Sequence, residues 1–256
     1  MIFGSDVRYE YSINPLVEVI CQLRFPAILS IGAREPIDFQ EAVRADFPRY
    51  SLQEEQAAPK VVNGKVEVQP KIRNYSFISE DGRWKLNLTQ NFIALSTVRY
   101  GTWEEFAAKL DKPLAEFIEI YRPAFFERAG LRYVNAFSRS ACGLAGTPWS
   151  ELIAPEFLGI LAAEDVDETE AARATVDADW SLGDGIRLKL HSGPGLIQRP
   201  GQKERDPEPK FILDGDFSVS GDIKLPDISS RLEAMHAWST RLIRGAVLDK
   251  LDEALR

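Results

Sequence analysis

Acidic and basic side chains alternate with apolar residues in three segments of the sequence, ATVDADWS, IRLKLHS and KFILDGDFSVS. The carboxylates are Asp177, Asp179, Asp214 and Asp216, and the basic residues between them are Arg187 and Lys189. A period of two places alternate side chains on one face of a strand, so neighbouring strands bring these charges together on the polar face of a sheet. Carboxylates suit a metal or acid/base site, as in a hydrolase or nuclease. The alternative, which the pattern favours, is a solvated, salt-bridged sheet face.

A second group of polar residues lies inside two strongly apolar strand patterns. Arg24 stands in LRF and Arg132 in LRY, two matching triplets about a hundred residues apart, and Glu18 and Asn135 lie on the same two segments. A charge inside an apolar strand costs free energy unless it is paired or hydrated. Because guanidinium groups bind carboxylates and phosphates well, Glu18, Arg24, Arg132 and Asn135 are the predicted ligand- or partner-binding residues. The alternative is that each arginine pairs with a nearby strand carboxylate such as Glu18 or Glu127.

Residues that carry most enzymatic chemistry are scarce. The two histidines, His191 and His236, and the two cysteines, Cys21 and Cys142, are scattered without zinc-type spacing. No phosphate-binding glycine loop and no G-x-S-x-G elbow is present. The sequence therefore predicts no catalytic residue, no metal and no cofactor, a protein that is not an enzyme, and reduced, inert thiols rather than a disulfide.

Composition restricts the class of protein further. The 256 residues are 45% hydrophobic and 27% charged, with a formal net charge of −8. This is ordinary globular composition, and the acidic balance argues against a generic nucleic-acid-binding protein, which relies on Lys and Arg. No segment reaches the ~18 consecutive apolar residues of a membrane span, and no secretory signal is recognised. We therefore expect a cytoplasmic protein without membrane contact.

The first half of the sequence predicts the order strand, helix, three strands, long helix. Its elements are a strand at 14–26, a helix at 34–48, strands at 74–79, 83–88 and 91–98, and a helix capped by Thr102. The polar stretch 52–70 predicts a loop with a short hairpin at Asn63-Gly64, and Asp81-Gly82 predicts a hairpin turn. Pro113 predicts a kink or a break in the long helix.

The second half repeats this order. Its elements are a strand at 125–138, a helix at 147–161, strands at 174–181, 186–192 and 210–220, and a helix capped by Asp227. The matches LRF with LRY and DGRWKLNL with DGIRLKL occur in the same order and indicate an internal duplication. We therefore predict one duplicated α+β domain over 1–256, with pseudo-symmetric β-α-β-β-β-α halves at about 8–122 and 123–256. The halves form one antiparallel sheet with long helices on one face, a layout like that of the TATA-binding protein or the helix-grip fold.

Four segments carry a family resemblance: NPLVEVICQLRFP, FQEAVRADFPRY, SEDGRWKLNLTQNFIALSTVRYGTWEEF and FFERAGLRYVN. Together they resemble a sporadically distributed family of prokaryotic proteins of about this length whose function is unknown. The resemblance covers about the first half of the chain and implies no activity, cofactor or catalytic residue. A sporadic distribution is typical of mobile genes, so the resemblance implies a defence or toxin–antitoxin locus.

The function predicted on these grounds is a non-enzymatic module that binds a protein partner, with a homodimer also open. One alternative is a carrier of a small molecule or lipid-like ligand, with a cavity between the sheet and the helices. A weaker alternative is a hydrolase or nuclease that uses the strand carboxylates Asp214 and Asp216.

Overall fold

The computed structural model describes residues 2–5, 11–56, 60–62, 65–67, 71–198 and 206–256. The chain is an α+β protein whose main element is one nine-stranded antiparallel sheet. The strands are β1 (Leu16–Arg24), β2 (Arg49–Gln56), β3 (Lys60–Val62), β4 (Lys65–Glu67), β5 (Lys71–Ile78), β6 (Trp84–Leu88), β7 (Phe92–Thr97), β8 (Phe126–Phe137), β9 (Val176–Ser181), β10 (Arg187–Gly195) and β11 (Lys210–Ile223). The sheet order is β2-β5-β6-β7-β1-β8-β11-β10-β9, and β3 and β4 form a separate two-stranded sheet.

The helices are two long ones and four short ones within the described residues. They are α1 (Leu29–Ala33), α2 (Ile37–Val43), α3 (Trp103–Tyr121), α4 (Pro155–Leu158), α5 (Ile228–Ala246) and α6 (Asp249–Leu255). The predicted cap of α3 is confirmed, because Thr102 Oγ1 accepts a hydrogen bond from the Glu105 backbone N–H at 3.2 Å.

Contacts between Cα atoms divide the chain into two compact units. Unit one comprises Met1–Val19, Leu131–Val219 and Ser230–Arg256, and unit two comprises Ile20–Gly130 and Ser220–Ser229. The internal duplication and its two sequence halves stay a prediction.

Unit two is built around aromatic side chains that the strand and helix periodicities bring to one core. Phe25 and Phe117 lie with ring centroids 4.7 Å apart, and Phe39 and Phe77 lie 5.5 Å apart. All four side chains are fully buried. Each buried aromatic ring contributes about 1.5–3 kcal/mol through apolar burial, so this cluster stabilises the unit substantially.

Unit one buries the inward side chains of β10 and β11 under α5. Leu232, Met235 and Leu242 of α5 are buried. A Cβ atom added to Gly215 of β11 would lie 2.8 Å from Leu242 Cδ2, so a larger residue there requires the Leu242 side chain to shift. The opposite face of these strands points away from α5 because successive side chains of a strand alternate between the two faces.

The loop predicted from residue 52 is wrong at its start, because β2 continues to Gln56 and pairs with β5. Tyr50 and Leu52 stand opposite Phe77 and Tyr75 in the ladder. β2 is the edge strand, so its other residues are polar, and this composition hid the strand pattern. The Asn63-Gly64 turn lies outside the described residues, and β3 and β4 pair antiparallel on either side of it.

Two helix predictions also need correction. The predicted helix at 147–161 is instead a 3-10 turn, the four-residue α4 and a second 3-10 turn, because Pro155 lacks an N–H and Gly159 has φ of 58°. In contrast, α3 continues through Pro113 without a break. The Asp81-Gly82 hairpin is confirmed by the pairing of β5 with β6 and by φ of 67° at Gly82.

Candidate functional site

The strand carboxylates and basic residues predicted to share a sheet face do so in unit one. In the ladder of β9, β10 and β11, Lys189 stands opposite Asp179 on one side and Asp216 on the other. His191 likewise stands between Asp177 and Asp214. Every basic side chain of β10 on this face therefore has acidic strands on both sides.

One ion pair and one hydrogen bond to a histidine join β9 to β10 on this face. Arg187 Nη2 donates to both Asp179 oxygens at 2.8 and 2.9 Å, and His191 Nδ1 lies 2.8 Å from Asp177 Oδ1. The hydrogen bond from His191 lowers the pKa of the Asp177 carboxyl. The Asp177 and Asp179 side chains nevertheless remain 66% and 43% exposed. Since exposed pairs contribute at most about 1 kcal/mol, these contacts orient the side chains more than they stabilise the fold.

Arg132 continues the same face on β8. Its guanidinium donates from Nε and Nη2 to the two oxygens of Asp214, at 2.8 and 2.5 Å. This pair, together with the negative charges of Glu18 and Asp216, raises the pKa of Arg132. The Asp214 side chain is 15% exposed and that of Arg132 is 44% exposed. The bidentate, partly buried geometry makes this the strongest pair on the face.

We call this surface the charged face and define it by Glu18, Arg132, Asp177, Asp179, Arg187, Lys189, His191, Asp214 and Asp216. Among these nine residues each strand contributes one sign, while Arg24 at the end of β1 and Lys210 at the start of β11 add a positive charge at the same parity as Glu18 and Asp214. In the sheet order β1, β8, β11, β10, β9, the signs are acidic, basic, acidic, basic, acidic, with His191 positive only when protonated. The expectation of a salt-bridged sheet face therefore holds for the pairs that the structure describes.

The four predicted site residues do not form one site. Glu18 and Arg132 belong to the charged face, and Arg132 pairs with Asp214 rather than with Glu18 or Glu127. Asn135 lies an odd number of residues from Arg132 on β8 and so belongs to the opposite face. Arg24 is exposed at the last residue of β1, in unit two.

Asn135 is buried, with 5% of its surface exposed. Its Nδ2 donates to the Leu213 carbonyl at 3.3 Å, while no described residue donates a hydrogen bond to its Oδ1. On the same face, Tyr133 Oη and His236 Nδ1 form a buried hydrogen bond of 2.8 Å. These residues connect β8 to β11 and α5 within the core and do not present a surface to a partner.

The sequence reading missed two polar contributors. His191 continues the alternation of Arg187 and Lys189 by one more period, and that spacing could have placed it on the charged face. The second is Glu208, which accepts hydrogen bonds from the Ser140 backbone N–H and from the Ser138 and Ser140 hydroxyls, at 2.7–2.9 Å. No local pattern signals this contact.

Hydrogen bonding controls the ionisation of Glu208. Burial opposes the charged form, but the Ser140 N–H, the two serine hydroxyls and Lys210 outweigh it and lower the pKa of the carboxyl to about 2. Lys210 Nζ lies 3.1 Å from Glu208 Oε2. The carboxylate therefore stays charged at neutral pH and holds the turn that follows β8.

Neither the cysteines nor the carboxylates form a further centre in the part of the chain that the structure describes. Both thiols are free, and burial raises the pKa of Cys21 to about 12, so that thiol stays protonated. No group of three or more histidine, cysteine or acidic side chains among the described residues is placed to hold a metal ion.

One pocket of about 640 Å³ lies in unit one between the N-terminal segment and the end of α5. Its lining includes Phe3, Gly4, Ala154, Arg244 and Gly245. All of its lining residues come from helix ends and connecting segments, so this pocket is not the cavity between sheet and helices that the ligand-carrier alternative requires.

None of the helices in the described ranges is both long and apolar enough to cross a membrane. No protein-family model matches the chain, and a comparison with curated proteins finds no match.

Proposed function

We propose that this chain is a non-enzymatic protein-interaction module whose partner binds the charged face of unit one. The observation that carries the proposal is a partly exposed sheet surface on which the nine residues of the charged face alternate in sign from strand to strand over five adjacent strands. Its side chains are already oriented by ion pairs, so a partner loses less conformational entropy on binding. Ordered charges at an interface supply specificity and fast association.

The proposal includes the finer features expected from the sequence. These are an internal duplication with pseudo-symmetric halves in a layout like that of the TATA-binding protein or the helix-grip fold, and a cytoplasmic location. The family resemblance adds a place in a mobile defence or toxin–antitoxin locus, where the chain would act as the neutralising or sensor component. Constant identity of a neighbouring gene would support this part of the proposal.

The experiment is capture of the tagged chain from its own host, followed by native mass spectrometry. The test variant combines Arg187→Glu with Lys189→Glu and thereby reverses the charge at two basic positions of β10. The charge-matched control combines Arg44→Glu with Arg122→Glu, two exposed positions in unit two. We expect the wild type and the control to retain one stoichiometric protein, and the test variant to lose it.

Two results would overturn the proposal. The first is equal retention of that protein by the test variant, whose fold is checked by circular dichroism. The second is a lone wild-type chain that carries the mass of a small molecule, which favours the ligand-carrier alternative.

A further inference from the structure

The charged face ends at β9, whose outer edge pairs with no other strand among the residues that the structure describes. β9 is the last strand in the sheet order, so its backbone has a ladder with β10 on one side only. Among the described residues, no hydrogen bond outside that ladder involves the β9 backbone. An edge strand of this kind presents unpaired N–H and C=O groups that another chain can pair with.

The two faces of β9 specify the chemistry of such a strand. On the charged face, Asp177 and Asp179 are exposed and each keeps capacity for further donors, since a carboxylate accepts about four hydrogen bonds. On the other face, Val176, Ala178 and Trp180 are half-buried. An added strand therefore finds carboxylates beside one set of its side chains and apolar surface beside the other.

A second copy of the same edge does not satisfy these conditions. Antiparallel pairing of β9 with β9 about Ala178 places Asp177 of each copy opposite Asp179 of the other. Like charges directly opposite each other on antiparallel strands are destabilising. Asp177 and Asp179 therefore disfavour a homodimer formed through this edge and favour a different protein whose strand carries positive charges.

Building on the proposed function, we infer that the partner adds a β-strand to the edge of β9, and that this strand alternates Lys or Arg with apolar residues. Its basic side chains lie beside Asp177 and Asp179 and extend the alternation of sign by one strand. Its apolar side chains cover Val176, Ala178 and Trp180. Backbone hydrogen bonds hold the strand, and the alternation of side chains sets its specificity.

The test measures binding of short fluorescent peptides to the full chain by anisotropy. The test peptide alternates lysine with valine. One control peptide alternates glutamate with valine, and another has the composition of the test peptide in an order that removes the period of two. We expect the lysine–valine peptide to bind at least about tenfold more tightly than either control. Equal binding of the three peptides, or no binding of any, overturns the inference.

Variants of β9 distinguish the edge from general charge attraction. The variant Asp177→Lys with Asp179→Lys should lose the lysine–valine peptide and gain the glutamate–valine peptide. The charge-matched control, Glu164→Lys with Asp165→Lys, changes exposed residues in a connecting segment and should behave as the wild type. A β9 variant that still binds the lysine–valine peptide as the wild type does overturns the inference.

Amide hydrogen exchange on the wild type locates the bound peptide without any substitution in the chain. Peptide binding should slow the exchange of β9 amides, and protection confined to β2, the opposite edge, overturns the inference. If no peptide binds but the captured partner still depends on Arg187 and Lys189, the inference fails and the proposed function stands. If capture is also independent of those residues, both fail.

Discussion

The polar face of unit one differs from that of unit two in the way it joins neighbouring strands. In unit two, uncharged side chains on one face of β2, β5, β6 and β7 form what we call the neutral face, defined by Ser51, Gln53, Asn74, Ser76, Asn87 and Ala94. Ser76 and Ala94 are buried, and the charged Arg49 and Lys85 lie beyond this set on the same face. Asn87 Nδ2 donates to Asn74 Oδ1 at 2.7 Å and to Ser76 Oγ at 2.8 Å. The charged face joins its strands by ion pairs instead.

This difference determines what each face specifies. Among the nine residues that define the charged face every strand has a single sign. A slip of two residues between β9 and β10 therefore still pairs opposite charges, whereas exchange of two neighbouring strands places like charges together. The charges therefore specify which strands are neighbours. On the neutral face, the side chain of Asn87 contacts two particular partners, and this contact specifies the register.

Of the substitutions that test this difference, the one at Asp214 should have the largest effect on stability. Asp214→Ala removes the bidentate partner of Arg132 in the least exposed ion pair of the charged face, and we expect the free energy of unfolding to fall by about 2 kcal/mol. Urea denaturation measures this change. The matched control is Asp179→Ala, whose carboxylate is 43% exposed and whose loss should cost less than about 1 kcal/mol. Equal losses would show that burial does not set the strength of these pairs.

A substitution on the neutral face should have a smaller effect on stability, and this effect should not depend on salt. Asn87→Ala removes the hydrogen bonds to Asn74 and Ser76, and the expected loss is about 1 kcal/mol, the usual net contribution of a neutral hydrogen bond. Ser96→Ala is the control on the neighbouring strand, because its hydroxyl makes a long contact of 3.5 Å with the Lys85 carbonyl. Urea denaturation at low and high salt should give the same difference, and a salt-dependent loss would contradict the neutral mechanism.

The Glu208 carboxylate holds the turn that follows β8 in unit one. Its protonation at low pH should lower the stability of the fold by a smaller amount. The pKa of Glu208 is lowered from 4.5 to about 2. Because the folded pKa is the lower one, the stabilisation is fully present above pH 4.5 and is lost as the pH falls through about 2. Solvent screening at this partly exposed group limits its size.

The carboxyl carbon of Glu208 should therefore titrate with a midpoint near pH 2 in NMR spectra. The variant Glu208→Gln should remove this part of the acid dependence while leaving the charged face unchanged. A midpoint near 4.5 would mean that the contacts with Ser138 and Ser140 do not hold the turn in solution.

Sequence patterns predicted local features of the charged face and of the turns and caps in unit two. The period of two placed Asp177, Lys189 and Asp216 on one polar face, and the cap at Thr102 and the turn at Asp81-Gly82 follow from short-range chemistry. These features depend on residues close in sequence, where backbone geometry leaves few choices.

Features that depend on distant pairing were not predictable. Arg132 and Asp214 are 82 residues apart, and their contact exists because β8 and β11 are neighbours in the sheet. Glu208 and Ser138 are 70 residues apart, and no periodicity links them. Asn135 looked like a site residue because it is polar within an apolar strand, although it shares the parity of the buried Leu131, Tyr133 and Phe137, and that parity already indicates a place in the core.

The smallest predicted difference between the two faces is the response of their local stability to salt. Raising the salt concentration from 0.1 M to 1 M shortens the Debye length from about 10 Å to about 3 Å, so exposed ion pairs weaken. The pairs of Asp177 and Asp179 with β10 are the most exposed on the charged face, and we expect β9 to lose less than about 1 kcal/mol of local stability.

Amide hydrogen exchange measures this loss residue by residue. The amides of β6 serve as the internal control, because Asn87 joins this strand to β5 through uncharged side chains, whereas β5 itself forms ion pairs with Glu54 of β2. Salt strengthens apolar burial in both units alike. Exchange that changes equally in β9 and β6 would mean that the ion pairs orient side chains without holding the edge strand in place.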